Sequence, residues 1–314
     1  MKFRTEIKNI DLPLEINHRH NLFLIGSCFS DNIAEKLAER KFNTLSNPFG
    51  ILYNPVSINR AIERIIDNDF PAISSFVQYD DIWHHFDYHG DMSGVYPEEV
   101  SKRIKIITEA SLKFLESADY LFLTYGTSIV HKRLDNNQIV ANNHKFPAAF
   151  FTKVKLSIDE IVDSTRQMLQ KLKQLNPKLK TIITLSPVRH IKDGIIENQR
   201  SKATLILAIE KLVNEEDVFY FPAYELLLDD LRDYRFYAKD LVHPSEAAIE
   251  YIWEKFSNTF FNESTLQLID EIEKINKSLM HKPFNENTEK HKDFKRKLEQ
   301  KIKTFKERNP GIEF

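Results

Sequence analysis

Asn21-Leu22-Phe23-Leu24-Ile25-Gly26-Ser27-Cys28-Phe29-Ser30 runs straight into Asp31-Asn32-Ile33-Ala34-Glu35-Lys36-Leu37-Ala38-Glu39-Arg40. The first stretch is a short apolar run that reads as a buried strand, and the second has helical spacing. Gly26, Ser27 and Cys28 therefore fall where a strand turns into a helix. Such a turn exposes a side chain, and the free N–H groups of the helix start can receive a developing oxyanion. A thiol in that position also loses its proton more easily.

Working outward, the same alternation recurs. Apolar runs at 119–124, 180–185 and 217–221 read as strands, with a shorter candidate at 42–45. Between them lie helical patterns over 56–66 (with Ser57 as N-cap), 98–117, 157–175, 198–213 and from Ser245 through Phe256, plus a short one near 224–231. Strands alternating with helices predict an α/β fold: a parallel sheet with helices on both faces. Ligands of such folds bind outside the carboxyl ends of the strands. Gly26-Ser27-Cys28, Gly126-Thr127-Ser128 and Ser186-Pro187-Val188-Arg189-His190 each follow a strand, so they converge on one edge.

Composition narrows the classes. Of 314 residues 42% are hydrophobic, enough for a sizeable core, and the net charge of −2 gives no pull toward nucleic acid or membrane. One cysteine excludes an internal disulfide, and no apolar run approaches a membrane span. The expectation is a soluble cytoplasmic protein. The seven glycines are few, so Gly26, Gly50 and Gly126 are read as serving backbone positions that other residues cannot occupy.

His84, His85 and His89 sit in an aromatic patch. In a strand over 82–90, His85 and His89 would share a face and His84 would oppose them. No acidic or cysteine partner has metal-ligand spacing, so the patch reads as an aromatic hairpin with a histidine facing a substrate pocket, without metal or other cofactor. In the charged tail, Phe294, Leu298, Ile302 and Phe305 recur at four, four and three, an amphipathic helix whose seam packs on the body or on a second copy as a homodimer. Interleaved glutamates argue against nucleic-acid binding there.

A nucleophile needs a base, and the base an orienting carboxylate. Asp240-x-x-His243 supplies both from one loop near the end of the alternating region. The pair is common by chance; its value lies in the order of strand, glycine and nucleophile first and Asp-x-x-His last. Arg189 reads either as a grip for phosphate or carboxylate or as an ion-pair partner of Asp193 or Glu197. His190 reads as lining the pocket or as solvated.

Gly26-Ser27-Cys28-Phe29, Asn54-Pro55, Gly126-Thr127, Ser186-Pro187-Val188-Arg189-His190, Glu197-Asn198-Gln199 with Ser201-Lys202-Ala203, and Asp240-x-x-His243-Pro244 together resemble the GSCFA-domain family of bacterial proteins, within the SGNH (GDSL-like) hydrolase superfamily. The resemblance spans about residues 20–258, with Ser30 where the family has alanine. It implies a three-layer α/β/α domain over 1–260 with a five-stranded parallel sheet, a helical extension over 261–314, and acyl-ester hydrolysis or acyl transfer without metal. It also implies oxyanion donors: the nucleophile's own N–H, a glycine N–H for which Gly50 is the candidate, and an asparagine after a Gly-x pair. Here Gly126-Thr127 is followed by Ser128 instead, and losing one donor can cost about 3 kcal/mol of transition-state stabilisation. Set without gaps, the superfamily's Gly-Asp-Ser falls on Gly26-Ser27-Cys28, which places Cys28 at the nucleophile position with Ser27 as the alternative. The implied substrate is a small molecule or glycan carrying an acyl group, with Arg189, His190 and His89 lining its pocket. The rival expectation is a sugar- or nucleotide-sugar-binding module on the same scaffold; a third, phosphate chemistry, has only Arg189 behind it.

Overall fold

A computed structural model describes residues 4–8, 10–281 and 288–314. In chain order the strands are β1 (Asn21–Gly26), β2 (Asn43–Ser46), β3 (Val77–Tyr79), β4 (Ile82–His84), β5 (Tyr120–Tyr125), β6 (Ile129–Arg133), β7 (Ile139–Val140), β8 (Phe151–Lys155), β9 (Lys180–Leu185) and β10 (Val218–Phe221). The helices are α1 (Cys28–Glu39), α2 (Pro55–Ile66), α3 (Pro97–Ser117), α4 (Ile158–Leu175), α5 (Ile195–Leu212), a single turn α6 (Ala223–Glu225) that passes into a π-helical turn over Leu226–Leu231, α7 (Glu246–Phe260), α8 (Glu263–Leu279) and α9 (Glu289–Arg308).

The main sheet is five-stranded and parallel, in the order β10-β9-β5-β1-β2. The period of two along β1 sorts its residues between two cores. Phe23 and Ile25 join the cluster packed by α2, α3, α4 and α5, whereas Leu22 and Leu24 join the one packed by α1 and α7. The three-layer expectation holds. At the exit of β1, Gly26 has φ +142°, and a Cβ there would lie 2.2 Å from the Thr124 carbonyl oxygen on β5. Only glycine lets the two strands keep this spacing while the chain turns.

Two local readings are corrected. The N-cap of α2 lies three residues before the expected one: it is Asn54, its side-chain oxygen accepting the Ser57 N–H at 2.9 Å. Pro55 sits at the first helical position, where its fixed φ and missing N–H cost nothing. The strand expected over 82–90 stops at His84, because Arg60 and Arg64 of α2 both bind Asp87 at 2.7 Å and draw the chain inward. His85 is left packed edge-on against Phe76, and His84 lies over His144 with ring centroids 4.5 Å apart. His85 and His89 therefore share no strand face.

The β3–β4 hairpin and the antiparallel β7-β6-β8 sheet stand apart from the main sheet. In the tail, Leu298, Ile302 and Phe305 of α9 pack on Ile272 and Ile275 of α8, so that seam is covered within the chain. Phe294 packs instead near His281 and His291. The part of the expected extension over 282–287 lies outside the described residues. No helix among the described residues is long and apolar enough to cross a membrane.

Candidate active site

The β1–α1 turn separates Ser27 from Cys28 sharply. Ser27 is fully buried and is the N-cap of α1. Its Oγ accepts the Phe29 N–H at 3.3 Å and donates to Ser186 Oγ at 2.8 Å, while its own N–H bonds the Thr124 carbonyl. The hydroxyl is thus spent on holding the turn to the end of β9. Cys28, the first residue of α1, is half-buried. Burial and then Asp31 push its thiol up; the amides of Cys28 and Phe29 and the positive charge of Lys202 act in the opposite direction.

The Asp240–His243 pair approaches from the surface. His243 Nδ1 lies 2.6 Å from Asp240 Oδ2, which makes Nδ1–H the donor and leaves Nε2 for chemistry. Asp240 Oδ1 accepts the N–H groups of Val242 and His243 at 2.9 and 3.0 Å. The His243 hydrogen bond first, then these amides, hold the carboxyl down to about 2. Arg189 grips the loop: its backbone N–H bonds the Val242 carbonyl at 3.1 Å, and its guanidinium donates to the Leu241 carbonyl at 2.9 Å while resting near the rings of Tyr237 and Tyr234. The expected ion pairs do not form, because Asp193 pairs with Lys153 and Glu197 with Arg200.

Between the two parts lie Tyr53 and His190, whose rings meet edge to face at 5.3 Å. The His190 N–H bonds Asn198 Oδ1 at 2.8 Å, and its buried Nε2 has no partner among the described residues. Burial, then the charges of Lys202 and His243, lower its pKa to about 3. A thiolate at Cys28 acts on both Tyr53 and Lys202. Cys28 follows β1 and His190 follows β9, both at the carboxyl edge of the sheet, and Lys202 and His243 both act on His190.

Three expected oxyanion donors have other duties. The Gly50 N–H is donated to the Asn47 carbonyl at 2.8 Å, and the Gly126 N–H to the Tyr53 carbonyl at 2.7 Å. Ser128 is fully buried, with its N–H and hydroxyl both directed at Ser201 Oγ, 2.7 and 3.1 Å away. Closing the loops around the site consumes these groups; the helix-start amide of Cys28 remains beside the sulfur, while the Phe29 N–H is held by Ser27 Oγ. Gly126 serves through its size: a Cβ would lie 2.9 Å from His190 Nε2. His89 caps the turn at Gly90 and packs on Gly50, where an added Cβ would meet its own Cβ at 2.4 Å.

Reasoning from the sequence did not single out Tyr53, Ser186 or Lys202 for a role. The available signal was a charge on an apolar face: Lys202 falls between Asn198 and Leu205 on the buried side of α5. Among the described residues no group of His, Cys, Asp or Glu could hold a metal ion. A cavity of about 220 Å³ near Asn176, Thr181 and Asp217, and one of about 1150 Å³ near Asn21 and Asn43, open at the amino ends of the strands, away from Cys28.

The chain matches the GSCFA family over residues 21–256 and the C-terminal domain of GSCFA domain proteins over residues 272–314. Curated proteins give no match. Among solved structures it is similar to a carbohydrate esterase family 3 protein from Talaromyces cellulolyticus, 10% identical, with 80% of this chain and 99% of that one covered and a TM-score of 0.36. It is also similar to the Clostridium thermocellum family 3 carbohydrate esterase, 9% identical, with 80% and 97% covered and a TM-score of 0.33. The first family match covers most of the chain: the protein belongs to the GSCFA family.

Proposed function

We propose that this GSCFA-family protein transfers acyl groups through Cys28, hydrolysing an ester or passing the acyl group to an acceptor hydroxyl. The observation that carries the reading is the division of labour at the turn: Ser27 is buried and committed, and Cys28 is half-exposed at a helix start. His243 Nε2 takes the thiol proton, and the sulfur attacks the substrate carbonyl carbon. The amide of Cys28 meets the oxyanion, and Asp240 steadies the imidazolium. Collapse breaks the ester C–O bond, the leaving alcohol takes the proton from His243, and a thioester remains on Cys28. Water or an acceptor hydroxyl, deprotonated by His243, then releases the acyl group. A glycan or glycan precursor is the substrate class that the resemblance implies.

A second reading, a pocket that holds a sugar or nucleotide sugar without turnover, is favoured by one observation: the N–H groups of Gly50 and Gly126 and the Ser128 hydroxyl are all committed elsewhere. Turnover of p-nitrophenyl acetate and of an acetylated sugar at pH 6–9 separates the two. Cys28→Ala and His243→Ala are expected to lose at least about 100-fold, and Ser27→Ala to keep most activity. Loss with Ser27→Ala but not Cys28→Ala sinks the thiol reading, and absence of turnover in the wild type favours the binding module.

A further inference from the structure

Lys202 is a cation with no stabilising job in view. It is 1% exposed on α5, and no carboxylate pairs with it among the described residues. An unpaired buried ammonium is costly, and an apolar side chain of similar length would pack there at less cost. Its Nζ donates to the Ser186 carbonyl at 2.7 Å and lies 5.5 Å from the centroid of the Tyr224 ring, and its other N–H bonds have no acceptor among the described residues. Ser186 in turn accepts the Ser27 hydroxyl, and Ser27 caps the helix that Cys28 begins.

We propose that Lys202 is the buried countercharge of the Cys28 thiolate, reaching it through space and fixing it through the Ser186–Ser27 contact. It is a positioning residue: its charge acts on the sulfur, and it touches no substrate.

The surroundings agree with this. Burial drives Lys202 down to about 7, and a charge on Cys28 pulls it back up. Around the sulfur, burial and then Asp31 of α1 oppose ionisation, while the amides of Cys28 and Phe29 and the charge of Lys202 on α5 favour it; burial raises the hydroxyl of Tyr53, from the loop before α2. Beyond Lys202 stand His190, neutral above about 3, and then His243 and Asp240 on the surface loop. On its far side is Tyr224, whose hydroxyl burial holds neutral up to about 12. Lys202 is thus the cation acting directly on the thiolate, and each of the two charges stabilises the other.

The proposal takes its catalytic meaning from Cys28 as nucleophile, but its test reads ionisation and not turnover. Cys28 is the only cysteine, so the rate of alkylation by iodoacetamide against pH reports this thiol alone. In Lys202→Met, which keeps the packing, and Lys202→Gln, which keeps a donor for the Ser186 carbonyl, the alkylation midpoint is expected to rise by about one pH unit or more. The rate at pH 7.5 falls about tenfold with it. Circular dichroism and gel filtration establish folding, and either folded variant suffices. A midpoint within about 0.3 unit of wild type, or below it, in a folded variant overturns the proposal. A raised midpoint in a protein without esterase turnover keeps the countercharge and removes the hydrolase reading.

Discussion

Cys28 and His243 reach the same edge of the sheet by opposite routes. Behind Cys28 stand Ser27, Ser186 and Lys202, all buried and joined by hydrogen bonds to the core of the molecule. Behind His243 stands a surface loop in which the His243 and Asp240 side chains remain 49% and 50% exposed. Packing places Cys28, the proposed nucleophile; a few polar bonds from Arg189 and Asp240 place His243, the proposed base. The difference teaches where damage should appear. Changes to the backbone turn that carries Cys28 should lower stability, whereas changes behind His243 should lower function with the fold intact.

The sharpest test of the buried side is Gly26→Ala. Its φ of +142° and the 2.2 Å approach of an added Cβ to the Thr124 oxygen set one backbone against another, and neither strand is free to yield. The expected loss is about 3 kcal/mol or more in urea unfolding. A loss under about 1 kcal/mol would mean that the turn relaxes, and the claim that packing fixes the nucleophile would fail.

How much of this was legible depended on the distance over which each contact acts. The β1 turn and the Asp240–His243 pair are local: an apolar run ending in glycine, and a carboxylate three residues from an imidazole. Both could be read from sequence, as could the parallel sheet. The different burial of Ser27 and Cys28 could not, because the hydroxyl that occupies Ser27 belongs to Ser186, 159 residues away. The acceptors of the Gly50, Gly126 and Ser128 N–H groups arrive only when the loops close, and no local pattern shows them. For Arg189 the local sequence offers an anion grip or an ion pair with Asp193 or Glu197, and the carbonyl it binds lies 52 residues further on. Nothing local shows why a lysine should face the core at 202.

His190 tests how far the dry side extends. Its ordinary pKa of 6.5 falls to about 3, chiefly by burial. Above pH 6.5 both states are neutral. Between 6.5 and 3 the unfolded chain binds a proton that the folded one refuses, so stability falls as pH falls through that window. At pH 5 this amounts to about 2 kcal/mol. His190→Gln is therefore expected to lose about 2 kcal/mol less than wild type between pH 7.5 and pH 5 in urea unfolding. His85 and His144, both lowered to about 4, act in the same direction but are present in both proteins and cancel in the difference. Equal losses in the two proteins would place His190 in water, with the exposed side of the site.

The smallest expected effect belongs to the surface side. Arg189→Ala removes one guanidinium bond to Leu241 and the contact with Tyr234 and Tyr237, but leaves the backbone bond to Val242. A partly exposed bond of this kind contributes about 1 kcal/mol, so the thermal midpoint should move by only a few degrees. The loop should loosen more than the fold. Lys239, exposed beside Asp240, becomes the preferred trypsin site, and kcat/KM for p-nitrophenyl acetate falls about tenfold, near 1.4 kcal/mol. Arg189→Lys should not restore either, because an ammonium cannot lie flat between two tyrosines and still reach the Leu241 carbonyl. A variant that loses stability on the scale expected for Gly26→Ala, with no added cleavage at Lys239, would show the base to be as deeply built into the core as the nucleophile.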